Sequence, residues 1–163
     1  MKTQSIKIHL ISLSILLAVA FTQCGLPKNT IAEEFQPIPS STWTWKDSKT
    51  FTFNVDDSTH YYNLSVGLRI NGTYAYSNIW LISQLRGNNL NNKKQIQIEL
   101  ADQTGRWLGE GMSNLITYEK PLVIQQKLPI GTYTWSLSQN MRDESLQGVS
   151  DIGIKVEKGQ PIL

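Results

Sequence analysis

The chain has 163 residues, with fifteen Lys and Arg against thirteen Asp and Glu, and 40% of its side chains are hydrophobic. Two of the basic residues, Lys2 and Lys7, precede Cys24, so the remainder is balanced at thirteen of each sign and carries no long basic block. So even a distribution argues against nucleic acid as a partner, because that binding scales with the phosphates neutralised.

After Lys2 and Lys7 the residues from Ile8 to Phe21 are mostly Leu, Ile, Val, Ala and Phe. Fourteen residues at about 1.5 Å each give roughly 21 Å of helix, short of the ~30 Å hydrocarbon core, so the segment reads as a removable signal sequence. Ala18 and Ala20 offer an A-x-A site for ordinary cleavage, whereas Cys24, the only cysteine, closes the apolar run. A lone thiol has no internal disulfide partner, and its place suits cleavage directly before a cysteine that then carries acyl chains. Each acyl CH₂ buried in a bilayer contributes about 0.8 kcal/mol, so several chains anchor firmly. Phe21, Thr22 and Gln23 depart from the usual lipoprotein box, which ends in a small residue. The reading is a lipoprotein signal peptide over 1–23 with lipidation at Cys24. About 140 residues then remain, enough for one domain with one core.

Residues 24–41 contain Pro27, Pro37 and Pro39 without a sustained period, and read as a flexible tether. From 42 to 163 the apolar period is two. Phe51, Phe53 and Val55 alternate, as do Tyr62, Leu64, Val66, Leu68 and Ile70, then Ile96, Ile98 and Leu100, then Tyr133, Trp135 and Leu137, then Ile152, Ile154 and Val156. Two further β-rich stretches, "YAYSNIWLISQL" and "PLVIQQKL", make seven strands, with turn signals at "DDS", "NG", "GNNLNN" and "PIG". Such a series predicts an all-β, jelly-roll-like antiparallel sandwich. Only "SQNMRDESLQG" invites a helical turn, ending at Gly148. Trp43 and Trp45 alternate, so one indole points inward and the other is covered or exposed.

Asn71-Gly72 is a strong signal for a two-residue hairpin. In that register Ile70 pairs with Thr73, Leu68 with Ala75, and Leu64 with Ile79 on the core face. The other face then collects Tyr74, Tyr76 and Trp80, more aromatic surface than an ordinary wet sheet carries. It is either covered by loops or the tether, or it is a platform for a partner or ligand.

Catalytic chemistry is hard to assemble from these residues. His60 is the only histidine after the signal segment and follows "DDST", which suits a surface turn. No Cys/His cluster has zinc spacing, and Asp56-Asp57 suits a turn cap better than a calcium site. No metal and no cofactor are expected. The stretch "LADQTGRWLGEG" combines turn residues Asp102 and Gly105 with glycines suited to close approach, Gly109 and Gly111. Its Arg106 and Trp107 form either a contact pair or a solvated arginine beside a buried indole.

In their order, Cys24, "WKD" at 45–47, "YYNLSVGLR" at 61–69, "YAYSNIWL" at 74–81, "LADQTGRWLGEG", "PIGTYTWSLSQNMR" at 129–142 and "LQGVSDIGIKVEK" at 146–158 resemble the GldH-type gliding-motility lipoproteins. The resemblance spans nearly all of the chain after the signal segment. It implies a membrane-attached, non-catalytic component of bacterial gliding and of the linked type IX secretion machinery, working with other lipoproteins of that apparatus. Only Cys24, as the acylation position, transfers as a site residue. Gly25 stands where an inner-membrane retention signal would place Asp, which favours the outer membrane by analogy, and the acidic pair Glu33-Glu34 lies beyond the positions just after the cysteine where a surface-export signal is read, which favours the leaflet facing the periplasm. Tyr74, Tyr76, Trp80, Arg106 and Trp107 are the candidate partner contacts. A glycan-binding sandwich is the alternative, with Tyr74, Tyr76 and Trp80 as its platform, and an enzyme comes third.

Overall fold

The computed structural model describes residues 27–112 and 114–162; the signal segment and Cys24 lie outside the described residues. In chain order the strands are β1 (Thr30–Pro37), β2 (Thr42–Thr44), β3 (Lys49–Val55), β4 (His60–Asn71), β5 (Asn78–Gly87), β6 (Leu90–Glu99), β7 (Glu110–Met112), β8 (Leu115–Lys127), β9 (Gly131–Gln139), β10 (Ser145–Gln147) and β11 (Val149–Pro161). One sheet runs β1-β11-β4-β8-β7, the second runs β3-β9-β5-β6, and β10 pairs with β2 in a small third ladder. Every pairing is antiparallel. The eight long strands interleave between the two main sheets in the order of a jelly roll.

The inward positions predicted from alternation form the core. Tyr62, Leu64, Val66, Leu68 and Ile70 of β4 are fully buried, facing Phe51, Phe53, Tyr133, Trp135 and Leu137 from the second sheet, with Ile152, Ile154 and Val156 beside them. Each such side chain contributes about 1.5–3 kcal/mol on leaving water. The tyrosines remain in this apolar layer because their hydroxyls donate to backbone: Tyr62 to Asp57 O at 2.6 Å and Tyr133 to Pro129 O at 2.8 Å.

Three expectations are corrected. Asn71-Gly72 does not close a hairpin: β4 pairs with β11 and β8, while β5 lies in the facing sheet. The Asn71 side chain instead accepts from Thr73 N (3.0 Å) and Thr73 Oγ1 (2.6 Å), turning the chain across the top of the core. Two strands that share a sheet and two that face each other both aim alternate residues at one core, so the period alone does not separate them. The tight hairpin joins β5 to β6, where Asn88 and Asn89 both adopt left-handed φ (46° and 65°), the backbone of a type I′ turn.

The tether is shorter than expected. Residues Thr30–Pro37 are edge strand β1, paired with β11 from Thr30↔Glu157 to Pro37↔Asp151, and Pro39–Ser41 form one 3-10 turn. Proline is tolerated at Pro37 because it ends an edge strand. The order begins earlier still: Thr30 N–H donates to Pro27 O (2.8 Å) and Lys158 N–H to Asn29 O (2.7 Å). Phe35 lies over the outer surface of the sheet, on a strip that only glycine leaves free. A Cβ built on Gly153 would sit 2.8 Å from Phe35 Cγ, and one on Gly67 2.7 Å from Phe35 Cε1. The Arg69 guanidinium covers the ring at 4.0 Å from its centroid. The part expected to be a tether therefore does fold over β4, but as a paired strand.

The third correction concerns "SQNMRDESLQG", which contains no helix. Ser138 and Gln139 finish β9, residues 140–144 bend, and Ser145–Gln147 form β10 against β2. Gln139 organises the bend: its Nε2 donates to Asp143 O (2.9 Å) and its Oε1 accepts from Met141 N (2.8 Å). Gly148 follows at φ 86°, the left-handed position its residue type suggests.

Candidate functional site

On β5 the core takes Ile79 and Leu81, so Trp80 points out of the second sheet. The bend after β9 stands beside it, fixed by Asn140 N–H to Trp80 O (2.8 Å) and Trp80 N–H to Met141 Sδ (3.2 Å). The crossover after β4 brings Tyr76 to the same place, where its hydroxyl donates to Asp143 Oδ2 at 2.5 Å. That bond to a carboxylate raises the Tyr76 phenol above its ordinary pKa and locks crossover to bend. Between them opens a groove of about 470 Å³ lined by Tyr76, Trp80, Asn78, Gln95, Asn140 and Arg142, with Met141 and Asp143 at its wall.

The groove is rich in uncommitted hydrogen-bonding groups. Asn78 and Asn140 bond within the protein through their backbone, and among the described residues the side-chain amides of Asn78, Gln95 and Asn140 have no partner. Arg142 pairs with no carboxylate among the described residues. Three amides, a guanidinium and an indole on one concave surface suit recognition of a polar surface with an apolar centre.

The sequence candidates separate. Tyr76 and Trp80 line the groove. Tyr74 is 4% exposed and stands behind them, edge-on to Tyr76 with ring centroids 6.0 Å apart, its hydroxyl donating to Asn78 O at 2.7 Å. Arg106 and Trp107 line no part of it. Asp102 folds their turn, accepting from Thr104 N (2.9 Å), Thr104 Oγ1 (2.6 Å) and Arg106 N (3.0 Å), with Arg106 Nε at 3.1 Å. These bonds, Thr104 first, hold the Asp102 carboxyl below its usual range. Arg106 is left in solvent while Trp107 packs half-buried on the core, so the two do not form one contact surface. Of the alternating pair, Trp43 is fully buried and Trp45 is half exposed. Gly109 and Gly111 serve close approach: a Cβ on Gly109 would meet Ile116 Cγ2 at 2.6 Å, and one on Gly111 would meet Leu115 O.

At the other end of the sandwich Asp57 is a structural hub. Its carboxylate bonds Lys158 Nζ, Thr59 N (2.7 Å), Thr59 Oγ1 (2.5 Å) and His60 Nδ1 (2.9 Å), which leaves it as a turn residue with its oxygens taken. Lys158, then Thr59, holds its pKa well below the ordinary carboxylate value. A depressed acid contributes stability that is present above its unfolded value of about 4 and is lost as pH falls through the folded value. Asp57→Asn is therefore expected to lower the melting temperature at pH 7, and the gap from the parent to narrow as both are acidified below pH 4. Thermal unfolding across that range checks it.

Fold and groove together define an antiparallel β-sandwich with one mixed aromatic and amide recess on its outer face. Residues 30–156 match the family model for the GldH lipoprotein, and the chain belongs to that family. It is 27% identical over 153 residues to the gliding motility lipoprotein GldH of Flavobacterium johnsoniae, covering 88% of this chain and 94% of the relative. It is 26% identical over 156 residues to the gliding motility lipoprotein GldH homolog of Christiangramia forsetii, covering 86% and 90%. As a lipoprotein of this family it is lipid-anchored in the cell envelope. Among solved structures, a CBM35 from Cellvibrio japonicus Abf62 aligns with TM-score 0.28 at 17% identity, covering 69% of this chain and 71% of that one. The infectious bursal disease virus VP2 subviral particle aligns with TM-score 0.33 at 14%, covering 81% and 37%. Likeness at this level carries no argument about ligand or partner.

Proposed function

We propose that the chain is a non-catalytic component of the gliding apparatus and of linked type IX secretion, attached through acylated Cys24 to the periplasmic leaflet of the outer membrane, and acting through protein contacts at the Trp80 groove. The observation that carries the contact reading is the set of side-chain amides and Arg142, without protein partners among the described residues, gathered around Trp80 and Tyr76. On binding, these donors exchange water for a partner's acceptors, so their desolvation is offset only by a surface that matches them, which makes the groove selective. Trp80→Ala and Arg142→Glu are expected to keep the melting temperature close to the parent's and to lose co-purifying envelope proteins from mild detergent, with gliding or secretion impaired. Unchanged partners and unchanged motility in both variants would reject the groove as the contact.

A second reading is favoured by the same chemistry. Indole, phenol and side-chain amides also suit a glycan, with sugar rings against Trp80 and hydroxyls on Asn78, Gln95 and Asn140. Titrating peptidoglycan and polysaccharide fragments while following tryptophan emission distinguishes the two. A saturable response that Trp80→Ala abolishes supports the glycan; none across classes removes it.

A further inference from the structure

The ends of the strands place the start of the body at one pole of the sandwich. Thr30 opens β1 opposite Glu157 near the end of β11, and β4 begins there at His60. β8 ends there at Lys127, and the loop that follows carries Ile130, whose carbonyl accepts from Asn88 Nδ2 at the β5–β6 turn (3.2 Å). Cys24 precedes Pro27 by three residues, so whatever path the chain takes their Cα atoms lie no more than about 11 Å apart. An anchor on Cys24 holds this pole, and no other, against the bilayer.

We infer that this pole is a membrane-contact surface: the body stands end-on on the lipid, with Ile130 and Ile124 in the headgroup layer and Lys28, Arg86 and Lys127 among the lipid phosphates. The inference rests on the acylation of Cys24 proposed above. Of the large exposed hydrophobics, Ile124 (68%) and Ile130 (61%) are the most exposed, and both belong to the end of β8 and its loop; Trp45, Tyr76, Leu108 and Leu115 are at the far pole. Lys28, Arg86 and Lys127 are exposed and pair with no carboxylate among the described residues. The acids nearby are mostly spent: Asp57 on Lys158 and His60, and Glu157 on Lys155 (3.3 Å), leaving Asp56 exposed. A short leash makes contact effectively intramolecular, so a modest affinity for anionic headgroups suffices. Trp80 lies seven residues along β5 from Gly87 at this pole, so the groove stands roughly 24 Å from the bilayer, on a sheet face that opens sideways and not toward the lipid.

The test uses the lipidated full chain carrying Ile130→Cys, labelled with an environment-sensitive nitrobenzoxadiazole dye. With the Cys24 sulfur taken by lipid, the introduced thiol is the only one. In vesicles of phosphatidylethanolamine and phosphatidylglycerol, the label is expected to shift to the blue and to lose at least about half its emission to lipids spin-labelled near the headgroup, whereas a label on Leu115→Cys keeps its aqueous spectrum. A position-130 label that stays aqueous, or equal quenching at both positions, overturns the inference. The N-terminal peptide mass from the same preparation separates the two ideas. An acylated Cys24 with an aqueous label rejects only the contact surface; an unmodified Cys24 rejects the anchor and the surface with it.

Discussion

Trp43→Ala is expected to lower the unfolding free energy by about 3–5 kcal/mol, the range for emptying a large aromatic site in a packed core. Trp43 is fully buried although its strand, β2, is only three residues long. It pairs with Leu146 of β10, and its indole N–H donates to Asp47 O at 2.7 Å. Trp43 thus connects three things: the core through its indole, the β2–β10 ladder through its backbone, and the start of the bend through its carbonyl, which accepts from Gln139 Nε2 at 3.4 Å. Removing it leaves a cavity where neither short strand has enough contact to close in. Trp43→Phe keeps part of the volume and loses the hydrogen bond, so about 1–2 kcal/mol is expected. Urea unfolding gives both values. Hydrogen exchange over 140–147 should rise in Trp43→Ala and change little in Trp43→Phe; equal protection in both would mean the indole does not support the bend.

The second large effect is expected from Gly148→Ala, at roughly 2–4 kcal/mol. Gly148 has φ 86°, its N–H donates to Ser41 O (2.8 Å) and its carbonyl accepts from Asn71 N (2.9 Å), so the backbone is held on both sides. A Cβ there would lie 2.6 Å from Tyr74 Cα and 2.8 Å from Tyr74 Cβ, and closer still to Tyr74 N. The clash is with backbone, which has no rotamer to retreat into. Gly105 provides the control: its φ is 84°, yet a Cβ there meets nothing within 4 Å. Gly105→Ala should therefore show only the left-handed penalty of about 1 kcal/mol. Equal losses at the two positions would mean that close approach of Tyr74 contributes nothing.

The contrast between these glycines also shows what the sequence makes legible. Alternation from Tyr62 to Ile70 and from Tyr133 to Leu137 names the core correctly, because a half-buried strand writes its inner face at every second position. The inward and outward indoles of Trp43 and Trp45 follow from the same rule. Partner choice does not: Asn71-Gly72 is locally a good hairpin, but the jelly-roll order sends β5 to the facing sheet without disturbing the alternation. β1 is hidden in the sequence because its Glu33-Glu34 pair and three nearby prolines mask the period, and its one large outer residue, Phe35, packs sideways over glycines. Trp80 and Tyr76 were readable as outward aromatics, whereas Asn140, Met141 and Arg142 were not. They reach the groove because Gln139 spends its amide on the backbone of the bend just after it, a side-chain-to-backbone fold that no hydrophobic alternation announces. Arg106 and Trp107 are adjacent in sequence and diverge in space, since Arg106 closes the exposed turn that Asp102 caps while Trp107, bridged to Ala101, packs on the core.

In the proposed account, acylation of Cys24, three residues before Pro27, is what turns these surfaces into an oriented envelope component. The mass of the N-terminal peptide of the protein recovered from cell membranes measures that acylation directly. The expected result is a peptide starting at Cys24 with acyl chains on it; a peptide starting at Phe21, cut after Ala20 and carrying an unmodified Cys24 thiol, would contradict it.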